Sequence, residues 1–159
     1  MTTSAPAPAP SKPDAAPAAN PTPDAKQNPI VARCVLAEKH DDHVILSVPG
    51  TDYRMRLVID GPIPHEAGKR IRGVIRAQAR RIDVVNTGGR YVEPVYGRPR
   101  RIQGTVCAID PGDDTVCVQV HQHLPIVCRT NGHQRATEFR VGQFVSFDAQ
   151  PGATFTPVD

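Results

Sequence analysis

The 159-residue chain has no tryptophan, four phenylalanines and three tyrosines. Aliphatic side chains must therefore fill any core, which suits small barrels more than a broad sandwich. No run approaches the roughly 18 apolar residues of a membrane span. The N-terminus lacks the charged start and apolar stretch of a secretory signal, and it has no Arg to suggest a mitochondrial presequence. The expectation is a cytoplasmic protein with no membrane partner. Four cysteines, at 34, 107, 117 and 128, form no CxxC, and a reducing compartment would keep them as thiols. A phosphate-cradling Gly loop, a nucleophile elbow and a His-centred zinc signature are all missing. The chain is thus expected to be non-enzymatic, with no catalytic residues and no cofactor.

What is present is β-sheet patterning, centred on GTVCAIDPGDDTVCVQV, Gly104 to Val120. Asp110, Pro111, Gly112, Asp113 and Asp114 form a turn between two alternating runs, since Pro presets φ, Gly tolerates positive φ and Asp caps the backbone. Folding there opposes Cys107 to Cys117. It puts Val106, Ala108, Val116, Val118 and Val120 on a core face and Thr105, Cys107, Thr115, Cys117, Gln119 and His121 on the other. The design occurs twice. CVLAEKHDDHVILSV, from Cys34 to Val48, has a turn at His40 to His43 and Val35, Ala37, Val44, Leu46 and Val48 as its apolar set. Val35 and Ala37 precede Val106 and Ala108 by 71 positions; Val44, Leu46 and Val48 precede their counterparts by 72; Gly68 and Ile71 precede Gly142 and Val145 by 74. Two copies of one supersecondary unit follow from such self-similarity.

Residues 1–29, rich in Ala and Pro, have no periodic apolar pattern and read as a disordered tail, a tether or a solubilising extension. Tyr53 to Ile59 alternates as a third strand, with Arg54 and Arg56 opposite Met55 and Leu57. The Pro-rich stretch from Gly61 to Gly68 is a connection. Arg70 to Gln78 and Arg81 to Val85 are expected as strands four and five of the first unit, closed by the turn Asn86 to Gly89. Arg90 to Arg101 links the units. In the second unit Pro125 to Cys128 is the third strand, Ala136 to Phe139 a short helix, and Gln143 to Ala149 and Thr154 to Val158 the last two strands. The expected fold is all-β: two tandem five-stranded barrels, over 30–97 and 98–159, behind the tail.

This five-strand order with a small insertion between strands three and four resembles the OB-fold, a Greek-key barrel that binds oligonucleotides and oligosaccharides through strands two and three and adjoining loops. The second copy, with CRTNGHQRATEFRVGQFVSFD, is also similar to the TOBE class of small barrels. In that class a Thr after strand three and a Val-Gly turn before strand four help build an oxyanion pocket. The resemblance assigns Thr130, Val141 and Gly142 to those places; the first copy has no equivalent Thr and carries Ala67 before Gly68.

Net charge is +3 overall but unevenly placed. Between 68 and 101 ten Lys or Arg face only Asp83 and Glu93; from 102 onward three Arg face six acids. A basic stretch is the usual footprint of a polyanion partner. Arg54, Arg56, Arg70, Arg72 and Arg76, with Lys69, Arg80, Arg81, Arg90, Arg98, Arg100 and Arg101, are the candidate phosphate contacts. Tyr91 and Tyr96, with Tyr53 at the rim, offer faces on which unpaired bases stack at about 1–3 kcal/mol each. The expected partner is nucleic acid, single-stranded or RNA, bound by the first barrel and the linker, with the second barrel free for a protein partner. The alternatives are a TOBE-like binder of a small oxyanion and a structural or protein-interaction module whose Arg residues form a solvated surface. No metal is expected: His121, His123 and Cys128 lack a fourth ligand, and Cys117 to His121 spans roughly 13 Å of strand. The Asp pairs at 41–42 and 113–114 serve turns.

Overall fold

The computed structural model describes residues 29–158; the tail expected over 1–29 lies outside them except for Pro29. Alternating sequence and Gly- or Asp-rich turns yield eleven strands. They are β1 (Ala32–Lys39), β2 (His43–Ser47), β3 (Arg54–Ile59), β4 (Arg70–Val84), β5 (Tyr91–Glu93), β6 (Tyr96–Gly97), β7 (Arg101–Asp110), β8 (Thr115–His121), β9 (Leu124–Arg129), β10 (Phe144–Ala149) and β11 (Thr154–Pro157). The short helix expected near residue 136 is a single 3-10 turn, Ala136–Glu138. No helix among the described residues is long and apolar enough to cross a membrane.

Backbone pairing closes two rings of five strands. The first runs β1-β2-β3-β11-β4 and back to β1. The second runs β7-β8-β9-β4-β10 and back to β7. In each ring the third and fifth strands are parallel, β3 with β11 and β9 with β4, and the other contacts are antiparallel. Closure leaves no exposed sheet edge in either ring.

The fifth strands are exchanged between the rings. The segment expected to close the first unit, 81–85, instead continues β4 into the second ring, beside β10. Thr154 to Val158, expected to complete the second unit, closes the first ring beside β3 and β4. The physical reason is local. No Gly or Pro interrupts the chain between Gln78 and Arg81, so β4 runs straight for 15 residues. Pro151 and Gly152, the latter at φ +100°, redirect the chain between β10 and β11. As a result β4 is flanked by β10 and then β11 along its length, from Val84 opposite Val145 to Gly73 opposite Pro157. The Gln150 amide bonds the Gln78 carbonyl at 2.8 Å where the two strands meet. Gly73 is required here, because a Cβ would collide with the Phe155 ring and the Thr156 carbonyl.

The repeat is real, but its first strand is offset by 70 rather than 71. Val35 and Ala37, expected in the core, are half-buried on the outer side, while Ala32, Cys34 and Leu36 are buried. Leu36 and Val106 are the equivalent residues. Gly68 donates to the Leu36 carbonyl and Leu36 to the Lys69 carbonyl, as Gly142 donates to Val106 and Val106 to Gln143. Each first strand then bulges, at Ala37 and at Cys107. Beyond the second bulge Ala108, not Cys107, pairs with Cys117, and Ile109 rather than Ala108 packs against the core. A one-residue slip moves a strand's side chains to the opposite face.

One apolar cluster runs through both rings, with Leu36, Leu46, Met55, Ile75, Ile82, Ile102, Ile126, Phe147 and Phe155 each no more than 2% exposed. Each such side chain contributes about 1.5–3 kcal/mol by leaving water.

Candidate nucleic-acid interface

The alternation in RMRLVI and RIRGVIRAQ turns the apolar residues inward, so Arg54, Arg56, Arg70 and Arg76 are exposed and Arg72 is half-buried. The expected parity is therefore observed. β11 lies between β3 and β4, so Arg54 and Arg56 are not direct cross-strand neighbours of Arg70, Arg72 and Arg76. Arg70 and Arg72 stand opposite Val35 and Arg33 on β1. Arg76 donates to the Thr156 hydroxyl at 3.1 Å, and that hydroxyl donates to the Asp60 carboxylate at 2.9 Å. Arg56 stands opposite Ile45 on β2. Arg81 pairs with Asp83 at 2.8 Å. Lys69 and Arg90 are exposed at loop positions away from the strands' centres.

The linker gathers the remainder. β5 pairs with β7 and β6 with β3, so residues 91–101 are tied at both ends to the sheet. The Arg54 amide bonds the Val95 carbonyl, the Arg100 amide bonds Glu93, and the Ala149 amide bonds Arg100, all at 2.8 Å. A cis Glu93–Pro94 bond lies in the turn between β5 and β6. This frame places Arg98, Arg100 and Arg101 around an open cleft of about 740 Å³ together with Arg80 of β4. Glu93, Pro94, Val95, Asp148, Ala149 and Pro151 complete its lining.

Four arginines and two acidic residues thus line the cleft. Arg101 is already engaged: its Nε donates to the Tyr91 hydroxyl at 3.4 Å and its Nη1 meets Asp148 at 2.8 Å. The Tyr91 hydrogen bond, then Asp148, raise its pKa above the ordinary arginine value. Arg80, Arg98 and Arg100, all exposed, line the same opening.

The tyrosines divide by role. Tyr53 accepts the Val92 amide through its hydroxyl at 3.2 Å, and Tyr91 is half-buried between Arg101 and Gln103. Tyr96 is 56% exposed, directly follows the cleft residue Val95, and has the Arg54 guanidinium 5.9 Å from its ring centroid. A guanidinium at this distance from a ring makes a cation–π contact. Sequence reasoning missed Glu93, Pro94 and Val95 of the linker itself, and Asp148, Ala149 and Pro151, the last three brought to the cleft by the end of β10 and the chain leading into β11. Nothing local in the sequence signals those three, since their placement depends on the strand exchange.

The positions that the TOBE resemblance assigns to an oxyanion pocket are Thr130, Val141 and Gly142. Thr130 is buried with its amide on the Asp114 carbonyl; Val141 is 65% exposed; Gly142 spends its amide on Val106. Gly68 makes the matching bond to Leu36, so this glycine amide has the same structural role in both rings. Among the described residues no three His, Cys, Asp or Glu side chains gather as metal ligands. Comparison with known protein families, curated proteins and solved structures returns no match to this chain.

Proposed function

We propose that the protein is a non-enzymatic binder of single-stranded nucleic acid, RNA or DNA, and that the linker cleft rather than the β4 face holds the backbone. Each ring has the strand order of an OB-fold, with its first strand between the second and the fourth and a parallel contact between the third and the fifth, a scaffold suited to oligonucleotides. The observation that carries the reading is the convergence of Arg80, Arg98, Arg100 and Arg101 on one open cleft beside the exposed Tyr96. Guanidinium groups around an open channel grip phosphates without reading sequence. Tyr96 supplies a platform for one base. The part of the second ring away from the cleft is left free for a protein partner.

The test is fluorescence anisotropy with labelled single-stranded DNA, single-stranded RNA and duplex across a salt series. Each phosphate contact steepens the log–log salt dependence by about 0.7 for single strands. Replacing Arg80, Arg98 and Arg100 together with Ala should weaken binding and lower that slope by about 2. Tyr96→Ala should cost about 1–3 kcal/mol with little change in slope. The triple variant Arg70→Ala, Arg72→Ala and Arg76→Ala serves as the control and should change little. No affinity at low salt, or affinity indifferent to the cleft variants, refutes the proposal. The separation of the strand arginines by β11 favours one second reading, a protein-interaction module, which the same null result would support.

A further inference from the structure

A second, smaller apolar cluster lies outside the main core. Val74, Cys117 and Val127 are buried there, with Ile30, Val31, Cys107, Ala108 and Val158 packed against them. Two of its members are thiols from adjacent strands. A β-bulge sets two residues against one on the partner strand; here Cys107 and Ala108 both oppose Cys117, so the two cysteines project to the same outer face. The Cys107 Sγ donates to the Cys117 carbonyl at 3.5 Å and lies 4.0 Å from the Pro29 carbonyl. Cys107 is half-buried and reachable from solvent, whereas Cys117 is buried. Cys34 and Cys128 lie in the main core, on the other side of the sheet from this pair.

The microenvironments differ in the direction that separates an attacking thiol from a resolving one. The hydrogen bond from Cys117, outweighing burial, lowers the Cys107 pKa below the ordinary thiol value. The same bond and then burial raise Cys117. Burial alone pushes Cys34 up to about 12 and raises Cys128 too. A reachable thiol of lowered pKa beside a second cysteine is the arrangement that oxidants select.

We propose that Cys107 and Cys117 form a reversible oxidation site for hydroperoxides, Cys107 reacting first and Cys117 resolving. The Cys107 thiolate attacks one peroxide oxygen and the O–O bond breaks. This gives a sulfenic acid and hydroxide, which leaves as water with the thiol's proton. The Cys117 sulfur then displaces the sulfenic oxygen, forming the S–S bond and a second water. Two thiols and one hydrogen peroxide become one disulfide and two waters. Two equivalents of a small thiol reverse the step by exchange. Closure also removes the S–H donor now directed at the Pro29 and Cys117 carbonyls.

The full-length protein is treated with one equivalent of hydrogen peroxide, blocked, and cleaved without reduction at Asp110, Asp113 and Asp114, which separate the two cysteines. Mass spectrometry with fragmentation distinguishes Cys117 from Cys128. The expected product is a monomer with one Cys107–Cys117 link and free Cys34 and Cys128, restored by dithiothreitol. Cys117→Ala should leave a dimedone-reactive sulfenic acid at Cys107. Cys107→Ser, at a half-buried position, should slow peroxide consumption at least tenfold, whereas Cys34→Ala should not. Oxidation centred on Cys34 or Cys128, links only between separate chains, or unchanged consumption in a folded Cys107→Ser variant overturns the proposal.

Discussion

Phe155→Ala tests whether the two rings unfold as one body. Phe155 is fully buried on β11, opposite Ile59 of β3 and Ile75 of β4, with its ring against Gly73. Truncation forfeits the transfer free energy of the aromatic ring and leaves a cavity, together about 3–5 kcal/mol. That is a large part of the about 5–15 kcal/mol that stabilises a typical domain. At about 2–4 °C per kcal/mol for a fold of this size, Tm should fall by roughly 6–20 °C.

The distinguishing measurement is where the loss is felt. The chain has no tryptophan, so far-UV circular dichroism follows the melt and native-state hydrogen exchange follows individual strands. Because β4 belongs to both rings and β11 continues from β10, opening the first ring withdraws support from the second. Amides of β2 and of β8 should therefore lose the same protection free energy, although Phe155 is in the first ring alone. Two resolved melting steps, or exchange that quickens in β2 while β8 keeps its wild-type protection, would refute the shared-strand reasoning.

Two smaller perturbations test the other inferences about packing and charge. Leu36→Ala should cost about 2–5 kcal/mol in urea denaturation, and Val35→Ala, on the outer face, about 1 kcal/mol or less; equal costs would mean that the first strand's register is wrong. His121 is held below its ordinary pKa of 6.5, first by burial and then by His123, and its Nδ1 accepts the His123 amide at 3.3 Å. The unfolded chain thus takes up this proton more readily, so stability should fall as pH drops through about 6.5 and level off once the native ring is also protonated. His121→Gln should flatten that part of a urea-midpoint profile measured across about pH 5–8.

The elements were legible because each rests on adjacent residues: alternation for strands, Asp, Pro and Gly for the 110–114 turn, Gly68 and Gly142 for the equivalent entries to the fourth strands. The register of the first strands was not, since a bulge at Ala37 or Cys107 leaves no mark in an alternating string of Val, Ala and Cys, and one extra residue exchanges the faces. The strand exchange was hidden for a different reason. Residues 81–84 and 154–157 are both short β-runs at the right distance from their own units, and only the absence of a break after Gln78 sends the first of them onward. The cleft inherits this invisibility. Counting cations found Arg80, Arg98, Arg100 and Arg101 but weighted them no more than Arg70 or Arg72, whose outward parity is equally clear. What singles them out is that β4, the linker and the β10–β11 connection meet where strands pass from one ring to the other. The site is a product of the exchange, and its chemistry can be assigned to particular arginines only after the partner of each fifth strand is known.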